Sequence, residues 1–515
     1  MDGDTTYSTP VLLIVTLEGS ISETLKSLLS RMATEITLIS LRLMGSGAGA
    51  RLDINEDQPC WFFFRPRYLY PIHSKCCQYI DLFAGVHRTG GRLDARALSR
   101  LQDEPGVIGL AEVMNYPGVL FRDAELMKKL SLAGSRPVDG HAPGLSGRDL
   151  SAYISAGIRS DHECTTVEEA EEKLRAGMHI MLREGSAAKN LIDLLPLVTA
   201  KNARQFMFAS DDRHPADILE EGHIDFMARA AIEHGLDPII ALQIASLNAA
   251  QYFGLSDIGA IAPGYRADIA VLEDIESLHA SFVLKDGSVV AERGELTAPL
   301  PAGAAARRRS MNISGIALSS FAIPASEGQA RVIGVVPGQI VTRDLRLFPT
   351  VREGRVVSDP QRDILKMAVV ERHRGTGNVG LALVQGFGLC KGAIASSVAH
   401  DSHNIAAVGA ADEEMLAAVL AVREMEGGLV AVEGGRVLAG LPLPVAGLLS
   451  EWHMRDVADG IERCIDAAAA LGCRLDDPFM TLSFLCLPVV PELKLTDRGL
   501  VDVREFELVG MFEKI

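Results

Sequence analysis

The sequence has no Cys-x-x-Cys pair, no apolar stretch long enough to cross a bilayer and no surplus of basic residues. Each absence excludes a class of protein. The eight cysteines are irregularly spaced over 515 residues, which favours reduced thiols over a disulfide framework. The apolar run VLLIVTL (Val11–Leu17) is too short for a membrane span. The opening residues MDGDTTYSTP are acidic where a secretory signal is basic. Lys and Arg number 50 against 67 Asp and Glu, a net charge of -17. A nucleic-acid partner calls for clustered cations, so neither nucleic acid nor membrane is expected. The reading is of a cytoplasmic protein with a small-molecule partner. What is present is ordinary globular composition, 48% hydrophobic and 23% charged, on a chain long enough for several domains.

Two compositions alternate along the chain. Residues 1–85 hold nine of the 27 aromatic side chains, including the cluster CWFFFRPRYLYP (Cys60–Pro71), and three of the eight cysteines. They show no βα alternation beyond a possible helix over Ser22–Ala33, and their fold is left open. From Arg92 onward, short apolar strands such as VIGLAEV (Val107–Val113) and QFMFASDD alternate with capped helical patterns. Asp123 and Thr166 stand as N-caps, and SAAKNLIDLLPLV reads as a further helix. This spacing is that of a parallel α/β unit over residues 86–257. Residues 258–296 read as a small β domain with PGYRAD and KDGS turns. Residues 297–331 read as a linker and connecting segment, beginning within the Pro/Ala/Arg-rich run Leu296–Ser310. Residues 332–515 read as a C-terminal α+β domain.

The α/β unit carries polar groups at the ends of successive strands. Glu112 ends GLAEV, His141 ends VDGH, His162 ends RSDH, and Asp211 with Asp212 ends MFASDD. A parallel α/β barrel keeps its chemistry at these ends. Carboxylate oxygen and imidazole nitrogen are donors that suit Zn, Mn or Fe. Singly, each residue has a bland reading as a solvated acid or a hydrogen-bonded core histidine; in series they make Glu112, His141, His162 and Asp211 candidate metal ligands. Asp211 doubles as a candidate proton acceptor for metal-activated water.

The motifs GLAEVMNYPGVL, RPVDGHAPGLSGRDLSAYISAGIRSDHECTT, LREGSAAKNL, SDDRHPADILEEGHID, IAPGYRADIAVLED, AIASSVAHDSHNIAAVGA and VVPELKLTDRGLVDV resemble those of the adenine deaminases of the amidohydrolase superfamily. The resemblance runs from about Leu93 to the C-terminus. It implies a (β/α)8 TIM-type barrel with a small β-sandwich and a C-terminal α+β domain. It also implies a pair of divalent metals, Mn or Fe, and hydrolysis of adenine to hypoxanthine and ammonia. Under it, Glu112 matches the carboxylate that bridges the metals. His141 and His162 match the fifth- and sixth-strand histidines. Asp211 matches the last-strand aspartate, which binds metal and shuttles protons, so Glu112 and Asp211 carry the catalysis. Candidate substrate contacts are Glu163, Arg183, Glu184, Ser186 and Asp212 around the strand ends. Three more, His400, Asp401 and His403, lie in SVAHDSHN, which reads equally well as a structured interface loop.

One family feature is missing. The superfamily's first strand ends in His-x-His, and the first 110 residues contain none: His73 and His87 stand 14 apart. The first barrel strands are therefore atypical or absent, and one of the two metal sites lacks ligands. The leading expectation is an adenine deaminase impaired by that loss. The alternatives are a non-catalytic relative that binds a purine or a partner protein, and an amidohydrolase acting on another amide or amidine. Uncovered barrel edges would favour a homo-oligomer. On this reading, His141→Ala and His162→Ala each weaken Mn2+ binding, followed by calorimetric titration, by more than ~10-fold, and His400→Ala does not. Equal losses in all three variants would displace the site from the strand ends.

Overall fold

The computed structural model describes residues 94–512 apart from 103–106, 187, 298–308, 401 and 506, together with the backbone of two short strands, Leu12–Val15 and Tyr70–His73. The helix expected over 22–33, most of the aromatic cluster, most of the Pro/Ala/Arg-rich run and Asp401 lie outside the described residues.

Six parallel strands follow one another along the chain. With β1 as Leu12–Val15, they are β2 (Tyr70–His73), β3 (Val107–Val113), β4 (Val138–Gly140), β5 (Ser160–Asp161), β6 (His179–Arg183) and β7 (Phe206–Ala209). β2, β3 and β4 form one sheet, and β5, β6 and β7 another. The two are laced together by the amide of Arg159 on the Val138 carbonyl at 2.9 Å and the amide of His179 on the Arg159 carbonyl at 2.8 Å. In register, His73 of β2 lies level with Ala111, one residue before Glu112.

These strands form where the sequence reads as continuous apolar runs, because both faces of a parallel sheet are covered. Gly109–Val113 of β3, all of β4 and Phe206–Phe208 of β7 are buried. The covering helices are α1 (Ala124–Leu132), α2 (Gly147–Ser155), α3 (Val167–Arg175), α4 (Leu191–Leu194) and α5 (Ile224–Glu233). Asp123 caps α1 by accepting from Leu126 N at 2.8 Å, and Thr166 caps α3 by accepting from Glu169 N at 3.3 Å. Leu126 and Leu130 of α1 pack with Leu110, Val138, Leu150 and Tyr153 in one core.

The long helix expected over residues 186–198 is a correction. It is reduced to α4 and a 3-10 turn, Leu195–Leu197. Pro196 has no amide to continue an α-helical ladder, and Glu184 bridges to Lys189 ahead of the helix. β8 (Ile269–Leu272), β9 (Ala280–Lys285), β10 (Ser288–Glu292) and β11 (Glu295–Leu296) form a small sheet that β1 joins in parallel to β8.

The C-terminal half is built on an eight-stranded sheet. In spatial order its strands are Thr342–Leu347, Ala330–Val335, Val379–Gln385, Ile364–Val370, Ile405–Gly409, Ala393–Ser396, Gly428–Glu433 and Arg436–Pro442. All seven residues of the central ILKMAVV strand are buried. Met415, Val419 and Val422 of helix Asp412–Glu424 cover one face, and Cys464 and Ala468 of helix Met454–Ala470 cover the other. The halves meet where Met114, two residues beyond Glu112, packs among Leu487, Val501 and Val503. Among the described residues no helix is long and apolar enough to cross a membrane.

Gly380 marks a tight contact inside the C-terminal half. A Cβ there would overlap the Thr496 carbonyl, where strand Val379–Gln385 meets the hairpin of Leu493–Thr496 and Gly499–Asp502. Gly380→Ala is expected to cost about 3 kcal/mol in denaturant unfolding; a loss within experimental error would mean that the hairpin shifts freely.

Candidate metal centre at the strand ends

Parallel strands all finish on the same side, so one polar residue at each end produces a cluster rather than a scatter. Glu112 is the penultimate residue of β3, His141 follows β4, His162 follows β5, Arg183 closes β6 and Asp211 lies two residues beyond β7. Nδ1 of His141 and Nε2 of His162 are 3.4 Å apart. Glu112 reaches the first at 3.9 Å and the second at 3.3 Å. Glu163 Oε1 lies 3.4 Å from His141 and 3.3 Å from His162. Asp211 Oδ2 lies 3.7 Å from His162 Nε2 and accepts from Arg183 Nη1 at 2.9 Å. Arg183 also donates to both oxygens of Glu163. Asp211 has φ of +57°, a left-handed conformation that Asp enters more readily than most side chains.

Two overlapping donor sets arise: Glu112, His141 and His162, and His162, Glu163 and Asp211, each with its ligand atoms within 4.8 Å of one another. Oxygen and imidazole donors at this spacing fit a divalent Zn, Mn or Fe ion. The electrostatics agree. Burial works against charge on His162, but Glu112, Glu163 and Asp211 together lift it to about 10. Burial likewise opposes charge on Glu163, yet His141, His162 and Arg183 hold its carboxyl far below the usual range. The cluster is a place where positive charge is stabilised.

A second layer of buried side chains ties the strand ends together. The Tyr153 hydroxyl donates to the Val113 carbonyl at 2.5 Å and accepts from His141 N at 3.0 Å, so β3 and β4 end in fixed relation. Asp161 accepts from the amides of Ala142 at 3.1 Å and Glu163 at 3.2 Å. Asn190 donates to the carbonyls of His162 at 3.1 Å and Cys164 at 2.9 Å, and accepts from Arg183 N at 2.6 Å. The sequence reading missed Tyr153, Asp161 and Asn190. Only Asp161, beside His162, gave any positional signal.

The other candidate residues lie around the cluster rather than in it. Glu184 turns to Lys189 at 3.2 Å. The Ser186 hydroxyl is committed to Asp217 and to the His214 amide. Asp212 packs over Gly185, where a Cβ would collide with its carboxylate. Burial and then Asp211 raise its pKa to about 6, against the pull of Arg183 and His400. His400 and His403 come from the C-terminal half; the His400 ring stacks on Phe484 at 5.0 Å. His214 occupies the N-cap position of helix Pro215–Glu220 without a capping bond and pairs with Asp477 at 3.0 Å.

Comparison with known proteins follows this geometry. The Amidohydrolase family pattern matches residues 29–294, and the Adenine deaminase C-terminal domain pattern matches residues 339–507. The chain is 52% identical over 431 residues to an adenine deaminase of Desulfatibacillum aliphaticivorans, covering 83% of this chain and 76% of that one. It is 50% identical over 426 residues to adenine deaminase 2 of Carboxydothermus hydrogenoformans, covering 82% and 75%. It is 52% identical over 430 residues to an adenine deaminase of Methanothrix thermoacetophila, covering 83% and 75%.

Arg183 donates to Glu163 and Asp211, the two carboxylates of the second donor set, where a cation bound there would compete with it. Arg183→Met should cost the metal-free protein about 3 kcal/mol, the usual penalty for orphaning buried carboxylates. Added Mn2+ should then raise the melting temperature of the variant more than that of the parent. An equal rise in both would show that guanidinium and metal do not share these groups.

Proposed function

The chain belongs to the adenine deaminases of the amidohydrolase family, and from that premise we propose that it hydrolyses adenine to hypoxanthine and ammonia at the strand-end cluster. The observation that carries this reading is the convergence of Glu112, His141, His162 and Asp211 from the ends of β3, β4, β5 and β7. On this proposal, β2 to β7 are the third to eighth strands of a (β/α)8 barrel. Tyr70–His73 adds one parallel strand to the sheet of the α/β unit proposed for residues 86–257. The small β domain of residues 258–296 includes β1, and the C-terminal α+β domain covers the barrel mouth.

Glu112, His141 and His162 would hold a divalent metal, Mn or Fe, with Asp211 beside it. When bound, the metal makes water acidic enough to act as a nucleophile near neutral pH. The remaining work belongs to the chain. Asp211 takes the proton from the attacking water and delivers it to the departing N6 amino group, so that C6 gains oxygen and loses ammonia. Arg183, donating to Asp211 and Glu163, fixes both carboxylates and helps to keep Glu163 ionised. Met114 packs under the C-terminal half, and the His214–Asp477 pair joins the Asp212–His214 loop to helix Pro478–Phe484. These contacts join the C-terminal half to that side of the α/β unit. Asp212 and His400, whose charges act on one another, are the purine contacts proposed from the barrel and from the C-terminal half, respectively.

We further propose a cytoplasmic setting, which the free thiols of Cys164, Cys390, Cys464, Cys473 and Cys486 support. Self-association is part of the same proposal. The missing His-x-His leaves the half-site to work with a single ion.

The test is hypoxanthine formation from adenine by the full chain reconstituted with Mn2+ or Fe2+. Turnover should appear and should fall by about 100-fold or more in Asp211→Asn. Folded, metal-loaded protein without turnover would make the chain a purine- or partner-binding relative instead.

A further inference from the structure

Helix α3 has the sequence VEEAEEKLR and reads as a solvated, charged helix. Lys173 within it is nevertheless fully buried. Its ammonium lies 2.5 Å from Asp161 Oδ2, 2.6 Å from Glu169 Oε1 and 2.7 Å from the Ala142 carbonyl. Glu169 and Lys173 are four residues apart and share a face. That face grips the loop after His141: Glu169 accepts from Gly144 N at 2.8 Å, and Glu172 accepts from Gly147 N at 2.7 Å. Glu169 also accepts from Thr165 N at 3.2 Å, in the loop after His162. Asp161 spans the two loops through the amides of Ala142 and Glu163.

Asp161, Cys164 and Glu169 are themselves metal-type donors within 4.8 Å of one another. The lysine ammonium reaches two of the three and stands where a metal ion would otherwise be attracted. A buried carboxylate in two backbone hydrogen bonds, with a second carboxylate nearby, needs a cation to be tolerated. A lysine supplies one that is covalently tethered and cannot be chelated away. Two loops, each following a histidine of the candidate centre, are thus fastened to a single internal charge.

We propose that Lys173 is a positioning residue for the strand-end centre: its ammonium locks Asp161 between the His141 and His162 loops and thereby sets the separation of the two imidazoles. It touches neither substrate nor the metal of the proposed reaction. The inference uses the assignment of His141 and His162 as ligands for its metal readout alone.

The experiment compares Lys173→Met with Lys366→Met in the full chain. Lys366 is an equally buried lysine, paired with Asp412 at 2.9 Å in the C-terminal half, and controls for the general cost of losing a buried cation. In metal-free protein, hydrogen–deuterium exchange of segments 141–147 and 162–165 should speed up by about tenfold in Lys173→Met, while β6 and β7 keep their protection. The Lys366 variant should leave both loops as in the parent. Co2+ affinity should fall by about tenfold or more in Lys173→Met, with altered visible absorption bands, and Lys173→Arg should recover part of both. Unchanged exchange in the two loops overturns the proposal, as does equal loosening throughout the α/β half or an equal effect of Lys366→Met. If the parent takes up no Co2+, the metal assignment fails and the exchange result alone decides. If Lys173→Met does not fold, Asp161→Asn is read in the same exchange assay, and rigid loops there count against the proposal.

Discussion

Three carboxylates, Glu112, Glu163 and Asp211, crowd around the same imidazole nitrogen of His162 at 3.3 to 3.7 Å, and the need to neutralise them underlies the arrangement of this half of the molecule. Like charges this close in a poorly solvated site cannot persist without a cation. The chain supplies some of it directly: Arg183 donates to Glu163 and Asp211, and His162 is held in its charged form. A divalent ion held by Glu112, His141 and His162 would answer the same need and would also supply chemistry. The cluster is costly as a purely structural feature and economical as a metal site.

Geometry at that precision needs support, and the support is polar and buried. Tyr153, Asp161 and Asn190 each hydrogen-bond backbone groups beside a strand-end side chain. A ligand held through its backbone in this way keeps its place whether or not the ion is bound, which limits the reorganisation that binding demands. Lys173 extends the pattern one layer further out. The C-terminal half contacts this region through Met114, which packs into its core, and the His214–Asp477 pair.

Much of this was legible in the sequence because it rests on local rules. Strand ends at Glu112, His141 and His162 follow from apolar runs closed by a polar residue, and Asp123 and Thr166 announce their helices. What was not legible is tertiary. Lys173 sits among glutamates that a sequence reads as a solvated face, and only the folded loops of His141 and His162 reveal why it is buried. The helix over 186–198 failed because Pro196 and the Glu184–Lys189 bridge outweigh its apolar spacing. The pairing of Leu12–Val15 with β8, more than 250 residues away in sequence, leaves no mark in either segment. The pairing of His214 with Asp477 is likewise invisible from the neighbours of either residue.

The central claim is that the half-site of Glu112, His141 and His162 binds a divalent ion without the family's His-x-His. Elemental analysis of the full chain after exposure to Mn2+ or Fe2+ and exhaustive dialysis tests it most directly. The account gives one tightly held ion per chain, lost when Glu112 is replaced by Gln. A chain that emerges metal-free, or one whose ion survives Glu112→Gln, would contradict it.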